Sequence, residues 1–232
     1  MRFDPPLIEA RLIERSNRFV AEIEIDGQAH RAHVHDPGRM KELLYPGARV
    51  LVRPAPAGRK TSHDVMLARK GKTWVSVYST LPNLLVKEAF ERGDLPEFGI
   101  DKSFRSEVSC GSSRFDFLLP TDPQTWLEVK SVTLAVGRTG LFPDAPTLRG
   151  KRHVDHLAHL ASRGEGAALL FVVQRSDVDV VRMHEDRDPD FADSVRKAAS
   201  AGVTIRARKC RVTARFIEIT DAVPVDLSTA KS

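Results

Sequence analysis

Within Ser113–Val132, two short segments rich in aromatic and branched side chains are each interrupted by charge: Asp116 among Phe115, Phe117, Leu118 and Leu119, and Glu128 and Lys130 among Trp126, Leu127, Val129 and Val132. Thr121-Asp122-Pro123 lies between them as a turn signal, so the pair reads as a β-hairpin. That turn pairs Leu118 with Trp126 and sets Asp116 opposite Glu128. Lys130 then shares the face of Glu128, because side chains two apart point the same way. Upstream, Phe19, Ala21, Ile23 and Ile25 alternate with Glu22 and Glu24 up to Asp26-Gly27, a half-buried strand entering a tight turn. Phe19 and Trp74 fit a barrel core as well as a surface. AHRAHVH, ARVLVRP, HDVMLAR and TWVSVYS supply further short strands, with one or two helical turns at RMKELL. Strands at this spacing predict a small barrel, and their number matches an OB-like one.

LPNLLVKEAFERG reads as a helix, with Pro82 near its start, Gly93 at its end and an apolar stripe of Leu84, Leu85, Ala89 and Phe90. Beyond the hairpin, GRTGLFPDAPT reads as a loop. RGKRHVDHLAHLASR reads as a helix capped by Thr147, with Val154, Leu157, Ala158 and Ala161 inward and Arg149, Arg152, His153, His156 and Arg163 outward. AALLFVV has the continuous apolar character of a strand buried on both faces. A helix at FADSVRKAASAG and strands at VTIRARK and RFIEIT complete the chain. The fold class expected is α+β or α/β: an OB-like barrel over residues 1–80, then a mixed sheet flanked by helices over 81–227, and a frayed tail at 228–232.

The chain of 232 residues has a formal net charge of +5, a mild tilt toward a polyanionic partner. Cys110 and Cys210 form neither a CxxC motif nor a disulfide framework, which fits a reducing compartment. No apolar run reaches membrane-spanning length and the first residues lack a signal-peptide core, so a cytoplasmic protein without a membrane partner is expected.

Carboxylates opposite each other across a ladder lie about 4.5–5.5 Å apart and repel. A hard divalent cation, Mg²⁺ or Mn²⁺, would neutralise them and leave positions for phosphate oxygens. Lys130 would then hold the attacking water or offset phosphate charge. An exposed polar edge hairpin is the plain alternative. Arg149, Lys151, Arg152 and His153 form a basic face suited to a phosphate backbone. The barrel carries Arg39, Lys41 and Arg53 but few aromatics, which fits backbone contact better than base stacking.

Asp116 followed by Glu128-Val129-Lys130 resembles the core of the PD-(D/E)xK nuclease superfamily. LPNLLVKEAF, SRFDFLL, LEVKSVTL, LFPDAPTLRGKRH and LFVVQR, in that order, resemble the sugar fermentation stimulation protein A family. The resemblance implies an OB-like domain followed by a nuclease-like domain, and DNA binding. It implies Asp116 and Glu128 with the Val129 carbonyl as metal ligands, Lys130 as a catalytic residue and Glu88 as a further acid from the preceding helix. The family's Asn-Pro-Gly turn is here Asp36-Pro37-Gly38, which adds negative charge where a phosphate would dock. Two functions follow: metal-dependent phosphodiester hydrolysis, or a non-catalytic DNA-binding regulator tied to sugar metabolism. RNA as a partner and a homodimer remain open.

Overall fold

The computed structural model describes residues 1–100 and 102–229. The chain forms two compact units. The first holds Met1–Leu81 with Gln174–Asp177 and Cys210–Glu218, and the second holds Pro82–Val173, Val178–Lys209 and the chain from Ile219 onward. Of the tail expected at 228–232, residues 230–232 lie outside the described residues. Ser228 is tied down: its hydroxyl accepts from Arg182 and its N–H donates to Asp226. Among the described residues no helix is long and apolar enough to cross a membrane.

The first unit contains β1 (Ile8–Glu14), β2 (Val20–Ile25), β3 (Gln28–His33), β4 (Arg49–Pro54), β5 (His63–Lys70) and β6 (Thr73–Ser76). Neighbours run β3-β2-β1-β4-β5-β6, and β3 also pairs with β5, which closes β1 to β5 into a five-stranded OB-like barrel. The alternating residues Leu12, Ala21, Ile23, Ala32, Val50 and Val52 turn inward and are fully buried. Asp26 and Gly27 both take positive φ, 50° and 77°, the twist that a two-residue hairpin between β2 and β3 requires. Phe19 stands outside the core at 47% exposure. The one or two helical turns expected at RMKELL are a single hydrogen-bonded turn, in which Leu43 and Leu44 both donate to the Met40 carbonyl. Met40 has φ 42°, outside helical space, so the turn cannot extend backward. Its Met40, Leu43 and Leu44 belong to the barrel core.

The second unit opens with α1 (Leu81–Arg92), then β7 (Arg105–Cys110), β8 (Ser113–Leu119), β9 (Thr125–Val132), β10 (Ala135–Val136) and β11 (Thr139–Phe142). It continues through α2 (Leu148–Ser162), β12 (Gly166–Val173), β13 (Val180–Met183), α3 (Pro189–Ser200), β14 (Thr204–Val212), β15 (Ile217–Val223) and β16 (Val225–Asp226). The main sheet runs β15-β14-β12-β9-β8-β7 and is mixed. β12 lies parallel to both β9 and β14, whereas β8 is antiparallel to β7 and β9. Ala167, Leu169, Phe171 and Val173 of β12 join Val154 and Leu157 of α2 and Phe191 and Val195 of α3 in one core, and the alternate residues Ala168, Leu170 and Val172 are buried too. Thr147 caps α2 through Gly150 N–H and Asp188 caps α3 through Phe191 N–H.

Six strands were not expected from the sequence: β1, β7, β10, β11, β13 and β16. β7 is mostly polar and exposed, without a hydrophobic period. The segment expected as a loop after the hairpin contains β10 and β11, which pair with each other before β11 joins β13 in a separate four-stranded sheet.

Gly166 starts β12 where it meets Thr125 of β9, and a methyl group there would lie 2.8 Å from the Gln124 carbonyl oxygen and 2.9 Å from the Thr125 Cα. Backbone cannot yield as a side chain can. Gly166→Ala should therefore destabilise the protein by about 1–3 kcal/mol in urea titration; an unchanged midpoint would show that β9 and β12 separate easily at this end.

Candidate metal centre

The hairpin register follows the turn: Leu119 pairs with Thr125, Leu118 with Trp126 and Phe117 with Leu127. One more step would set Asp116 opposite Glu128 as an ordinary pair. The ladder ends before it, and the Asp116 carboxylate takes its place. Oδ2 accepts from the Val129 N–H at 2.7 Å and Oδ1 accepts from Asn83 Nδ2 of α1 at 2.6 Å.

The strand's alternation breaks at the same residue. Phe117 is in register with Leu127, and Leu127 with Ala168, so the three share a face, on which Phe117 meets Phe90 of α1. Phe115, two residues earlier, meets Trp126 and His153 and belongs to the core of the opposite face, with α2. Period-two geometry would send both rings to one face. Asp116 thus lies at an irregularity that directs its side chain between the strands toward Val129.

Glu128 is 4% exposed. Its Oε1 accepts from Lys130 Nζ at 2.5 Å and from His153 Nδ1 at 2.8 Å, while its Oε2 is buried with no hydrogen-bond partner among the described residues. Burial works to raise the Glu128 carboxyl, but the His153 hydrogen bond and the Lys130 charge outweigh it and hold the group below its ordinary value. Asp116 goes the other way. Burial and then the Glu128 charge push it up to about 6, against the hydrogen bonds from Val129 and Asn83 and the Lys130 charge. Like charges this close divide their roles: one carboxyl stays ionised and the other tends to keep a proton.

An orphaned buried carboxylate oxygen costs about 1–3 kcal/mol or more. A divalent cation would satisfy Glu128 Oε2, and each Asp116 oxygen retains a lone pair beyond the bond it accepts. Hard oxygen donors from two carboxylates suit Mg²⁺, Mn²⁺ or Ca²⁺, so these residues fit such an ion.

Glu88 pairs with Arg92 on α1 at 2.5 Å. Asn83, five residues earlier on that helix, reaches the site. His153 is buried and bonded to Glu128, in contrast to the outward position expected of it. The buried positions of α2 are Gly150, His153, Val154, Leu157 and Leu160. That stripe includes His153 once it is centred on Val154 and Leu157, a signal present in the sequence. Arg149 and Arg152 are exposed and, with Ser112, Ser113, Arg114, His153 and His156, line a pocket of 620 Å³. Lys151 is outside that lining and pairs with Asp155.

On the barrel, Arg39 and Lys41 border a 270 Å³ pocket together with Arg15 and Arg18. Arg15 anchors this loop by donating to the carbonyls of Arg18, Asp36, Gly38 and Arg39. Asp36 turns inward on its own loop, where Oδ1 accepts from the Gly38 N–H. Arg53 faces a different cluster and donates to Asp64 and Tyr78. His33, His35 and Asp64 offer ligand atoms within 4.8 Å of one another, but Arg59 and Arg53 already supply cations to Asp64.

A family model described as the sugar fermentation stimulation protein RE domain matches residues 80–216, and one described as the SfsA N-terminal OB domain matches residues 13–77. A sugar fermentation stimulation protein homolog of Acetivibrio thermocellus is 43% identical over 230 residues, covering 97% of this chain and 99% of the relative. Its counterpart in Moorella thermoacetica is 44% identical over 225 residues, covering 95% and 97%. The solved structure of Pyrococcus furiosus SfsA in complex with Ca²⁺ superposes with a TM-score of 0.89 at 28% identity, covering 97% of this chain and 98% of that one.

The shift at Asp116 sets a sign for stability. Raised from 3.8 to about 6, the carboxyl holds its proton more tightly folded than unfolded. Its contribution to stability therefore falls as pH rises through that window, by about 3 kcal/mol in full. In protein stripped of metal by EDTA, the stability difference between wild type and Asp116→Asn should change with this sign between pH 4 and 7. A pH-independent difference in urea titrations would place Asp116 at an ordinary pKa.

Proposed function

The chain belongs to the sugar fermentation stimulation protein family, and from that membership and the charged hairpin we propose that it is a DNA-binding protein that hydrolyses phosphodiester bonds with a divalent metal ion. One observation carries the reading: Asp116 and Glu128 are brought together at low solvent exposure beside Lys130, with Glu128 Oε2 buried and unsatisfied. A scaffold that needed only shape would be better served by apolar residues, because unpaired buried charge is destabilising. The combination resembles that of the PD-(D/E)xK nucleases. The net charge of +5 favours a polyanionic substrate, and the Pyrococcus relative was solved in complex with Ca²⁺, which supports a divalent-ion reading.

Asp116, Glu128 and the Val129 carbonyl would hold Mg²⁺ or Mn²⁺, which supplies Lewis acidity toward a phosphate oxygen and a more acidic bound water. The chain's own groups do the rest. Asn83 and the Val129 N–H fix both oxygens of Asp116, and His153 fixes Oε1 of Glu128, so neither carboxylate can rotate freely. Lys130, with 14% of its side chain exposed, keeps its ammonium at the carboxylates, where it can orient the attacking water or offset charge on the phosphate. Arg149 and Arg152 offer the phosphate backbone two guanidinium groups at the start of α2.

End-labelled single- and double-stranded DNA incubated with Mg²⁺, Mn²⁺ or EDTA should be cut by wild type in a metal-dependent manner. Lys130→Ala should cut on the order of 10²–10⁴-fold more slowly with its thermal melting retained. Equal cleavage by that variant removes the role assigned to Lys130. Retarded but intact DNA under every metal would leave a non-catalytic DNA-binding protein.

A further inference from the structure

The pocket beside α2 carries more charge than one backbone phosphate requires. Resting on the hydrolytic reading above, we propose that this 620 Å³ pocket receives the terminal phosphate monoester of a DNA strand, so that the enzyme acts at or near phosphorylated strand ends. Three observations lead there.

Arg149 and Arg152 line the pocket and neither makes an ion pair or hydrogen bond among the described residues, although the adjacent Arg114 pairs with Glu107 and Lys151 with Asp155. They also stand in the first two turns of α2, whose opening turn has no acidic residue. Cations there oppose the positive end of the helix dipole, so helix stability does not account for them; a bound anion would reverse the sign of both effects. A phosphodiester brings one negative charge, whereas a monoester brings about 1.5 to 2. Two uncompensated guanidiniums match the monoester.

The second observation ties the pocket to the metal centre. His153 is buried, lines the pocket, and gives Nδ1 to Glu128 Oε1, while its Nε2 has no partner among the described residues. One imidazole therefore separates the phosphate pocket from a proposed metal ligand. The third observation is size. The volume lies within the range of pockets that enclose a whole small ligand, so there is room for a terminal nucleotide.

The test separates binding from cutting. Fluorescence anisotropy in EDTA at low salt would compare short single strands bearing a 5′-phosphate, a 3′-phosphate or hydroxyls at both ends. Wild type should bind one phosphorylated strand about tenfold more tightly than the hydroxyl-ended strand, and the preferred end gives the polarity. The double variant Arg149→Gln, Arg152→Gln should bind all three alike while melting as wild type does. Equal wild-type affinities, or a preference that survives in the double variant, would overturn the proposal. End preference without cleavage under Mg²⁺ or Mn²⁺ would uphold the pocket and remove the hydrolase reading, and cleavage without end preference would do the reverse.

Discussion

Two carboxylates that repel each other are held within one short hairpin, and the local structure of the second unit answers to that constraint. An ordinary β-ladder would leave Asp116 and Glu128 facing each other with nothing to compensate them. The ladder stops one pair short, and Asp116 bonds to the Val129 amide. Phe115 and Phe117 consequently go to opposite faces, which seats one in the α2 core and the other against α1. Electrostatics at one residue thus sets the packing of its two neighbours.

The helices on either face return contacts to the same charges. α1 delivers Asn83 to Asp116 and α2 delivers His153 to Glu128. Beneath them β9 is paired along its length with β12, itself parallel to β14 and buried on both sides. A buried central strand has little freedom to shift, so the second carboxylate and Lys130 are carried on one of the stiffest parts of the unit. Asp116 and Glu128 are displaced in opposite directions: burial and then the Glu128 charge push Asp116 up, whereas at Glu128 the imidazole and the Lys130 cation outweigh burial.

Basic residues in the two units are used differently. On the barrel, Arg15 is consumed in fastening a loop by four carbonyls, and Arg53 and Arg59 are drawn to the buried Asp64. At the start of α2, Arg149 and Arg152 are engaged by nothing among the described residues. Net charge alone could not separate cations that hold the fold from cations open to a ligand.

Local pattern was enough for the elements whose neighbours matter least. Barrel strands β2 to β5, the turn at Asp26-Gly27, the Thr147 cap, the doubly buried β12 and the register as far as Phe117 are all written in period and turn chemistry, as is the grouping of Asp116, Glu128 and Lys130. The order of motifs along the chain likewise carried the family. Tertiary structure decided the rest because the deciding contacts cross between elements. Asn83 became a partner of Asp116 because α1 turns that residue to the hairpin, and His153 went inside because an ionised Glu128 lay beneath it to bond. At RMKELL one of the one or two turns expected forms, because the backbone at Met40 leaves helical space. A sequence fixes which side chains share a face, but which face meets a buried charge is settled only when the elements pack.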